Sequence, residues 1–245
     1  KRTGADFDTA WARKPLAVFT RRVILSGAVS AAERTVASPQ LHGLDRLADL
    51  RLAAMDAIDD DEQPPAVIFA ANHQSHLDTP AILDALPPRW RYRVAPAMAK
   101  EFFKAHFHPE GFSRTRVAAN RLNYYLASLF FNAFPLPQRE TGTRQTLRYI
   151  GDLVGSGYSI LIYPEGKRTD AGEIKTFQPG AAMIAARLEV PVVPVRLDGL
   201  DRILHQTWKF PARGVARVAF GAPMSLKGND YVALSRQVEE AVRGL

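Results

Sequence analysis

Short apolar runs alternate with stretches of helical periodicity along most of the chain. The apolar runs, rich in branched and aromatic residues, predict strands at residues 66–72, 92–98, 132–137, 159–164, 190–197 and 215–221. The periodic stretches predict helices at residues 8–36, 79–86, 143–155, 179–188 and 230–243. This alternation is typical of an α/β fold. We therefore expect a mixed, largely parallel central sheet flanked by helices, preceded by an N-terminal amphipathic helical segment.

Two prolines, Pro191 and Pro194, interrupt the apolar run at residues 190–197. Proline has no backbone N–H and cannot donate a hydrogen bond to a neighbouring strand. A regular interior strand across the whole run is therefore excluded, and we expect an edge strand or an extended wall.

A polar segment that begins with His73 follows the predicted strand at 66–72. Open α/β sheets bind their ligands at the carboxyl ends of strands. Asp78 lies five residues further on, just before a predicted helix, and the turn can bring its carboxylate to one imidazole nitrogen. The other nitrogen can then take a proton from a substrate hydroxyl. Two other interpretations stay open: an N-capping aspartate beside a structural histidine, or a metal pair formed by His73 and His76.

A second polar segment, Tyr163 to Thr169, follows the apolar run Ser159 to Ile162. Gly166 permits a sharp turn of the backbone. Arg168 offers a planar fork that matches a phosphate group, and Lys167 adds a point charge. The segment predicts an anion site, and a solvated charged turn is the alternative.

These segments, in their order along the chain, resemble the sequence blocks of the glycerol-phosphate and lysophosphatidate acyltransferase family, part of the lysophospholipid acyltransferase superfamily. The resemblance extends over about residues 41 to 225, and its blocks are His73 to Asp78, Phe134 to Arg139, Pro164 to Thr169 and Val190 to Val195. Departures from the family pattern include Pro137-Gln138 before the arginine of the second block, Lys167 where threonine is common, and Gln178 where lysine is usual.

The resemblance implies transfer of a fatty acyl group from a thioester to a hydroxyl of a lysophosphatidate-like acceptor, as in phospholipid biosynthesis. His73 would be the general base and Asp78 would hold it, with direct attack by the acceptor. The oxyanion candidates are Lys100 and the backbone N–H groups near Gly166. The candidates for binding the acceptor phosphate are Arg139, Glu165, Lys167 and Arg168. The expected partners are a lysophospholipid acceptor and a donor, acyl-CoA or an acyl-carrier protein, with no metal and no organic cofactor.

Two alternatives stay open beside this interpretation. The departures in the second and third blocks leave room for the same chemistry on another lysophospholipid, a glycolipid or an amine-bearing lipid. A non-catalytic membrane-binding module that keeps the fold is the other alternative.

Composition narrows the classes of partner. The chain contains no cysteine, which excludes a disulfide framework and a thiol nucleophile. Its formal net charge of +7 favours an anionic partner. Zinc-ligand spacing and a recognition-helix signature are both missing, and the aromatic residues cluster with aliphatic ones. We therefore expect an anionic membrane surface rather than a nucleic acid.

The apolar stretch from Pro15 to Ala32 contains Arg21 and Arg22, which argues against a transmembrane span. It is better interpreted as an amphipathic helix at the membrane surface, with packing on the core as the alternative. The membrane-contact candidates are Trp11, Phe19, Tyr124, Tyr125, Phe130 and Phe131. We expect a peripheral protein on the cytoplasmic face of a membrane, with a membrane-associating segment at 1–40 and an acyltransferase domain at 41–245.

Overall fold

The computed structural model describes residues 9–47, 64–137, 143–169, 173–205, 207 and 210–245. The strands in these residues are β1 (Ala37–His42), β2 (Ile68–Ala71), β3 (Val94–Ala99), β4 (Phe134–Leu136), β5 (Ser159–Ile162), β6 (Val192–Asp198) and β7 (Gly214–Phe220). Together they form a seven-stranded sheet in the order β1-β7-β6-β2-β5-β3-β4. Neighbouring strands are parallel except β6 and β7, which are antiparallel. The predicted mixed, largely parallel sheet is confirmed.

Helices cover both faces of this sheet. Those in the described residues are α1 (Pro15–Ile24), α2 (Ser30–Val36), α3 (Asp78–Ala85), α4 (Pro88–Arg91), α5 (Lys104–Phe107), α6 (Arg114–Phe131), α7 (Thr143–Gly155), α8 (Gly180–Leu188), α9 (Leu200–Ile203) and α10 (Tyr231–Arg243). Side chains alternate along β2, so Phe69 faces the core with α3 and α4, while Ile68 faces the core with α7, α8 and α10. The sheet is therefore the middle layer between two apolar cores.

The prediction missed β1, the long helix α6 and the three four-residue helices α4, α5 and α9. Only Ala37 of β1 is buried, so this polar edge strand shows no alternation of apolar and polar residues. Tyr124 and Ser128 are the buried residues of α6, too few to produce a clear helical periodicity. β1 runs across residue 40, where we expect the division between the two segments of the chain, and that division stays a prediction.

The expectation of an edge position for residues 190–197 is wrong, because β6 is an interior strand between β7 and β2. Pro194 pairs in register with Ala70 of β2. On the side of β7, it lies between the bridge of Val192 to Met224 and the ladder that starts at Val195. Pairing with β7 is interrupted there, so the missing N–H of Pro194 breaks no regular ladder.

The first helical segment packs onto α6 through a buried arginine. A 3₁₀ turn at Ala10–Arg13 precedes α1, and a π-helical turn at Leu25–Val29 joins α1 to α2. Arg21 is only 2% exposed, and its guanidinium donates to the backbone carbonyls of Ala12, Ser128 and Leu129. Burial lowers the pKa of Arg21 to about 10. One cation thus ties α1 to the end of α6.

Candidate active site

The site starts where β2 ends, at the middle of the sheet. Asn72, the first residue after β2, is fully buried. Its side-chain amide donates to the carbonyl of Leu197 at 2.9 Å and its oxygen accepts from the Leu197 N–H at 2.7 Å. Through these two bonds, the Asn72 side chain extends the pairing of β2 with β6 by one residue. They also fix the backbone position at which His73 begins.

His73 and Asp78 are in contact, as predicted. The Nδ1 atom of His73 lies 2.6 Å from Oδ2 of Asp78, which is the first residue of α3 and is fully buried. The same oxygen accepts hydrogen bonds from the backbone N–H groups of Gln74 and Ser75. A carboxylate oxygen can only accept a hydrogen bond, so the imidazole proton is assigned to Nδ1. Nε2 then carries a lone pair that can accept a proton.

The loop after β5 holds the backbone of His73 on both sides. Glu165 Oε1 accepts from the His73 N–H at 2.8 Å, and Oε2 accepts from the Lys175 N–H at 2.9 Å. The N–H of Thr169 donates to the His73 carbonyl at 2.9 Å. Burial raises the pKa of Glu165, and the hydrogen bonds from the Lys175 and His73 N–H groups lower it by a smaller amount. Glu165 is thus held by the backbone N–H groups of His73 and Lys175, and its predicted role in binding the acceptor stays a prediction.

Tyr163, the first residue of that loop, lies flat against His73. The ring centroids are 4.1 Å apart and the ring planes make an angle of 21°. The Tyr163 hydroxyl lies 2.8 Å from the Thr79 hydroxyl on α3. Neither Tyr163 nor Thr79 was predicted to have a role in the site. The available signal was position, since Tyr163 directly follows β5 and β5 is parallel to β2.

A cavity of about 580 Å³ opens at His73, a size typical of small-molecule sites. Its polar end is lined by His73, His76, Gly166, Lys167 and Arg168. The remainder is largely apolar, and its lining includes Pro96, Met98, Phe102, Phe103, Ala127, Phe131 and Leu136. The cavity therefore joins a polar end beside the imidazole to a hydrophobic channel between β3 and α6.

Two predicted phosphate-binding cations lie at the polar end. Lys167 is exposed, and Arg168 is partly buried. Nη1 of Arg168 donates to Nδ1 of His76 at 3.0 Å. Burial, together with the charge of Arg168, lowers the pKa of His76, which favours the neutral ring that can accept this bond. Arg139, the further predicted cation, lies outside the described residues.

The oxyanion roles predicted for Lys100 and for the backbone N–H groups near Gly166 stay predictions, while Gly166 itself and Lys100 have other contacts. The N–H of Gly166 donates to the Tyr163 carbonyl at 3.0 Å, so it closes a turn of its own loop, where Gly166 has a positive φ of 73°. Lys100 is buried in the 3₁₀ turn after β3, with its ammonium 5.2 Å from the centroid of the Phe107 ring. It is not among the described residues that line the cavity.

The membrane-contact candidates fall into different environments. Phe19 is 65% exposed on α1. Tyr125 is exposed and contacts the partly buried Trp11, with ring centroids 5.8 Å apart. Phe130 is partly buried, and Phe131 lines the cavity. Tyr124 is only 2% exposed.

The assignment of Tyr124 to the surface is wrong. Its ring packs against those of Phe103, His106 and Phe107, inside the junction of α5 and α6.

Of the helices in the described part of the chain, none is both long enough and apolar enough to cross a bilayer.

Comparison with known proteins places this geometry in a family. The model of the Acyltransferase family matches residues 43–198, which include the His73–Asp78 pair and the loop after β5. The chain therefore belongs to the acyltransferase family.

Named relatives and a solved structure agree with that assignment. The chain is 30% identical over 158 residues to human 1-acyl-sn-glycerol-3-phosphate acyltransferase beta, which covers 64% of this chain and 50% of the human protein. It is 24% identical over 186 residues to mouse 1-acyl-sn-glycerol-3-phosphate acyltransferase alpha, covering 74% and 58% of the two chains. The chain thus spans about half the length of these relatives. The 1-acyl-sn-glycerophosphate acyltransferase PlsC of Thermotoga maritima shares the fold, with a TM-score of 0.60, 21% identity, and coverage of 91% of this chain and 79% of PlsC.

Proposed function

We propose that the protein transfers a fatty acyl group from an acyl thioester to the free hydroxyl of a 1-acylglycerol 3-phosphate. The observation that carries the proposal is the contact of His73 with Asp78 at the mouth of a cavity that is polar at one end and apolar beyond. The Nδ1–H group of His73 is hydrogen-bonded to the Asp78 carboxylate, so Nε2 is the basic nitrogen that can act on a substrate. The named relatives are 1-acyl-sn-glycerol-3-phosphate acyltransferases, which agrees with this acceptor.

In the proposed reaction, Nε2 of His73 removes the proton of the acceptor hydroxyl as its oxygen attacks the thioester carbonyl. Asp78 keeps the imidazole in the Nδ1–H tautomer and stabilises the imidazolium that forms. The tetrahedral intermediate collapses with cleavage of the carbon–sulfur bond. The departing thiolate then receives the proton from the imidazolium, which restores the free base. No acyl-enzyme is needed, and the chain has no cysteine to form a thioester.

The acceptor phosphate is proposed to bind Arg168 and Lys167, which line the same cavity as His73. A guanidinium can hold two phosphate oxygens at once, while the ammonium supplies charge. Arg139 stays a predicted third cation. The acyl chains would lie along the apolar lining formed by residues such as Met98, Phe103 and Phe131.

Membrane association is proposed to use the exposed stripe of α1. Leu16, Phe19 and Val23 are 76%, 65% and 57% exposed and lie three and four residues apart, on one face of the helix. Such a stripe, on a chain of net charge +7, suits insertion at the surface of an anionic bilayer. We propose peripheral binding on the cytoplasmic face.

A thiol-release assay tests the reaction and the substrates together. Acyl-CoA or an acylated carrier protein is the donor, and the acceptors are 1-acylglycerol 3-phosphate, other lysophospholipids, a lyso-glycolipid and an amine-bearing lipid. The chain has no cysteine, so it contributes no thiol background of its own. We expect thiol release that depends on 1-acylglycerol 3-phosphate. Release that requires a different acceptor would reassign the substrate, and no acyl transfer to any acceptor would contradict the proposal.

A further inference from the structure

We propose that Tyr163 is a positioning residue for His73: its ring fixes the imidazole plane so that Nε2 is held towards the bound acceptor. The inference rests on the proposed function, because it matters only if His73 is the base. Tyr163 lines the same cavity as His73, and the role proposed for it is to hold the imidazole rather than to contact the reacting atoms.

The tyrosine is fixed at both of its ends. Its backbone follows β5 directly, next to the central strand β2. Its hydroxyl lies 2.8 Å from the hydroxyl of Thr79 on α3, the residue that follows Asp78. The ring therefore spans from the sheet to the helix that carries the carboxylate, with His73 stacked on its face at 4.1 Å.

Asp78 alone leaves one motion of the imidazole open. Its hydrogen bond restrains the Nδ1 atom, but the ring can still tilt about the direction of that bond, and the second side-chain torsion of histidine has broad wells. Tilting displaces Nε2, the atom on the far side of the ring. A flat aromatic surface in parallel contact opposes this tilt, because the ring cannot turn without colliding with its neighbour.

The phenol ring also suits the charged intermediate. The face of an aromatic ring carries negative charge density and attracts a cation. Burial, followed by the charge of Asp78, raises the pKa of Tyr163 well above its ordinary value, so the phenol is neutral during turnover. The stacked surface would thus stabilise imidazolium through its ring rather than through a phenolate.

The kinetics of three variants distinguish the role of the Tyr163 ring from that of its hydroxyl, and an effect on the site from a loss of core packing. Tyr163→Phe keeps the ring, Tyr163→Leu removes it, and Tyr158→Leu removes a partly buried tyrosine just before β5, away from the cavity. We expect Tyr163→Leu to lower kcat about 10- to 100-fold, as displacement of a catalytic group by about 1 Å does, with KM for both substrates within about threefold. Tyr163→Phe should retain kcat within about threefold of the wild type, and so should Tyr158→Leu.

The imidazole resonances of ¹³C-histidine-labelled protein give a readout that needs no turnover. The signal of His73 is identified by its loss in His73→Ala. Stacking on a ring shifts that signal upfield, so we expect the shift to persist in Tyr163→Phe and to disappear in Tyr163→Leu. If Tyr163→Leu does not fold, Tyr163→Met replaces it.

Three results would overturn the inference: near-normal kcat without the ring, equal loss in Tyr163→Phe and Tyr163→Leu, or an unchanged His73 signal in Tyr163→Leu. These outcomes differ from failure of the proposed function. An active, folded His73→Ala variant would remove the base itself, whereas an inactive His73→Ala beside a fully active Tyr163→Leu would remove only the role of Tyr163.

Discussion

Oδ2 of Asp78 lies 2.6 Å from Nδ1 of His73, and the two backbone N–H groups of Gln74 and Ser75 converge on that same oxygen. The carboxylate is thus fixed by the turn between the two residues before any substrate binds. A fixed carboxylate sets the tautomer of the imidazole, which decides whether Nε2 can accept a proton. The spacing of five residues works because the intervening turn supplies the donors.

The first prediction follows from this pair. His73→Ala should lower turnover on the order of 10²–10⁴-fold while the protein stays folded, since general-base catalysis is lost. Asp78→Asn should lower kcat severely as well, because an amide can hold the wrong tautomer of His73. The measurement is kcat from thiol release, with folding checked by circular dichroism. His42→Ala, at an exposed position of β1, is the control and should be fully active.

The second prediction concerns the acceptor phosphate. Arg168→Ala should raise KM for 1-acylglycerol 3-phosphate about 10- to 100-fold, the loss expected when hydrogen bonds to a charged group worth about 1.5–3 kcal/mol are removed. Arg168→Lys should recover this only in part, because an ammonium has no planar fork. The KM of the donor should change little. An increase confined to the donor would move Arg168 to the acyl carrier.

The third prediction is a dependence of stability on pH. Burial raises the folded-state pKa of Glu165, so the native protein binds this proton more readily than the unfolded chain. The contribution of Glu165 to stability must then fall as the pH rises from the unfolded pKa through the folded one, and stay constant above. Urea unfolding of the wild type and Glu165→Gln between pH 4 and 7 measures it.

In that comparison, the difference in unfolding free energy, wild type minus variant, should decrease with rising pH and then level off. The slopes of carboxylates that do not interact with Glu165 cancel in the difference. A difference that does not change with pH would show that Glu165 titrates alike in both states.

Local sequence patterns predicted much of the sheet and the central pair of the site. β2 and β5 are short, apolar and bounded by turn residues, and both the His73–Asp78 contact and the position of Arg168 depend on where these strands end. Contacts between distant elements could not be predicted in this way. Tyr124 is buried because α5 packs against α6, and Glu165 turns to His73 because β5 pairs with β2. Neither contact leaves a periodic signal in the sequence.

The fourth prediction compares Arg21 and Arg22, two neighbouring arginines of which the first is buried and the second is exposed. Arg21→Ala should destabilise the protein by at least about 2 kcal/mol, since it leaves the carbonyls that Arg21 binds without their donor. Arg22 is exposed and lies over the ring of Tyr92 at 5.3 Å. Arg22→Ala should cost no more than about 1 kcal/mol. Equal losses in denaturant unfolding would show that the buried guanidinium does not hold α1 to α6.

The fifth prediction tests the exposed stripe of α1 against a matched position elsewhere. Leu16→Ser with Phe19→Ser should weaken binding to anionic vesicles on the order of tenfold or more, because each side chain gains up to about 1.5–3 kcal/mol on leaving water. Val232 on α10 is 60% exposed, so Val232→Ser removes a similarly exposed apolar side chain from another surface, and this variant should bind as the wild type does.

Salt separates the two contributions to this binding. Basic side chains near an anionic surface contribute roughly 1 kcal/mol each, and that part is screened as salt rises, whereas apolar insertion is not. Moderate salt should therefore weaken wild-type binding in part and remove most of the binding that the double variant retains. Vesicle sedimentation at two salt concentrations measures both effects. If Leu16→Ser with Phe19→Ser sediments like the wild type at both salt concentrations, the exposed stripe of α1 does not enter the membrane.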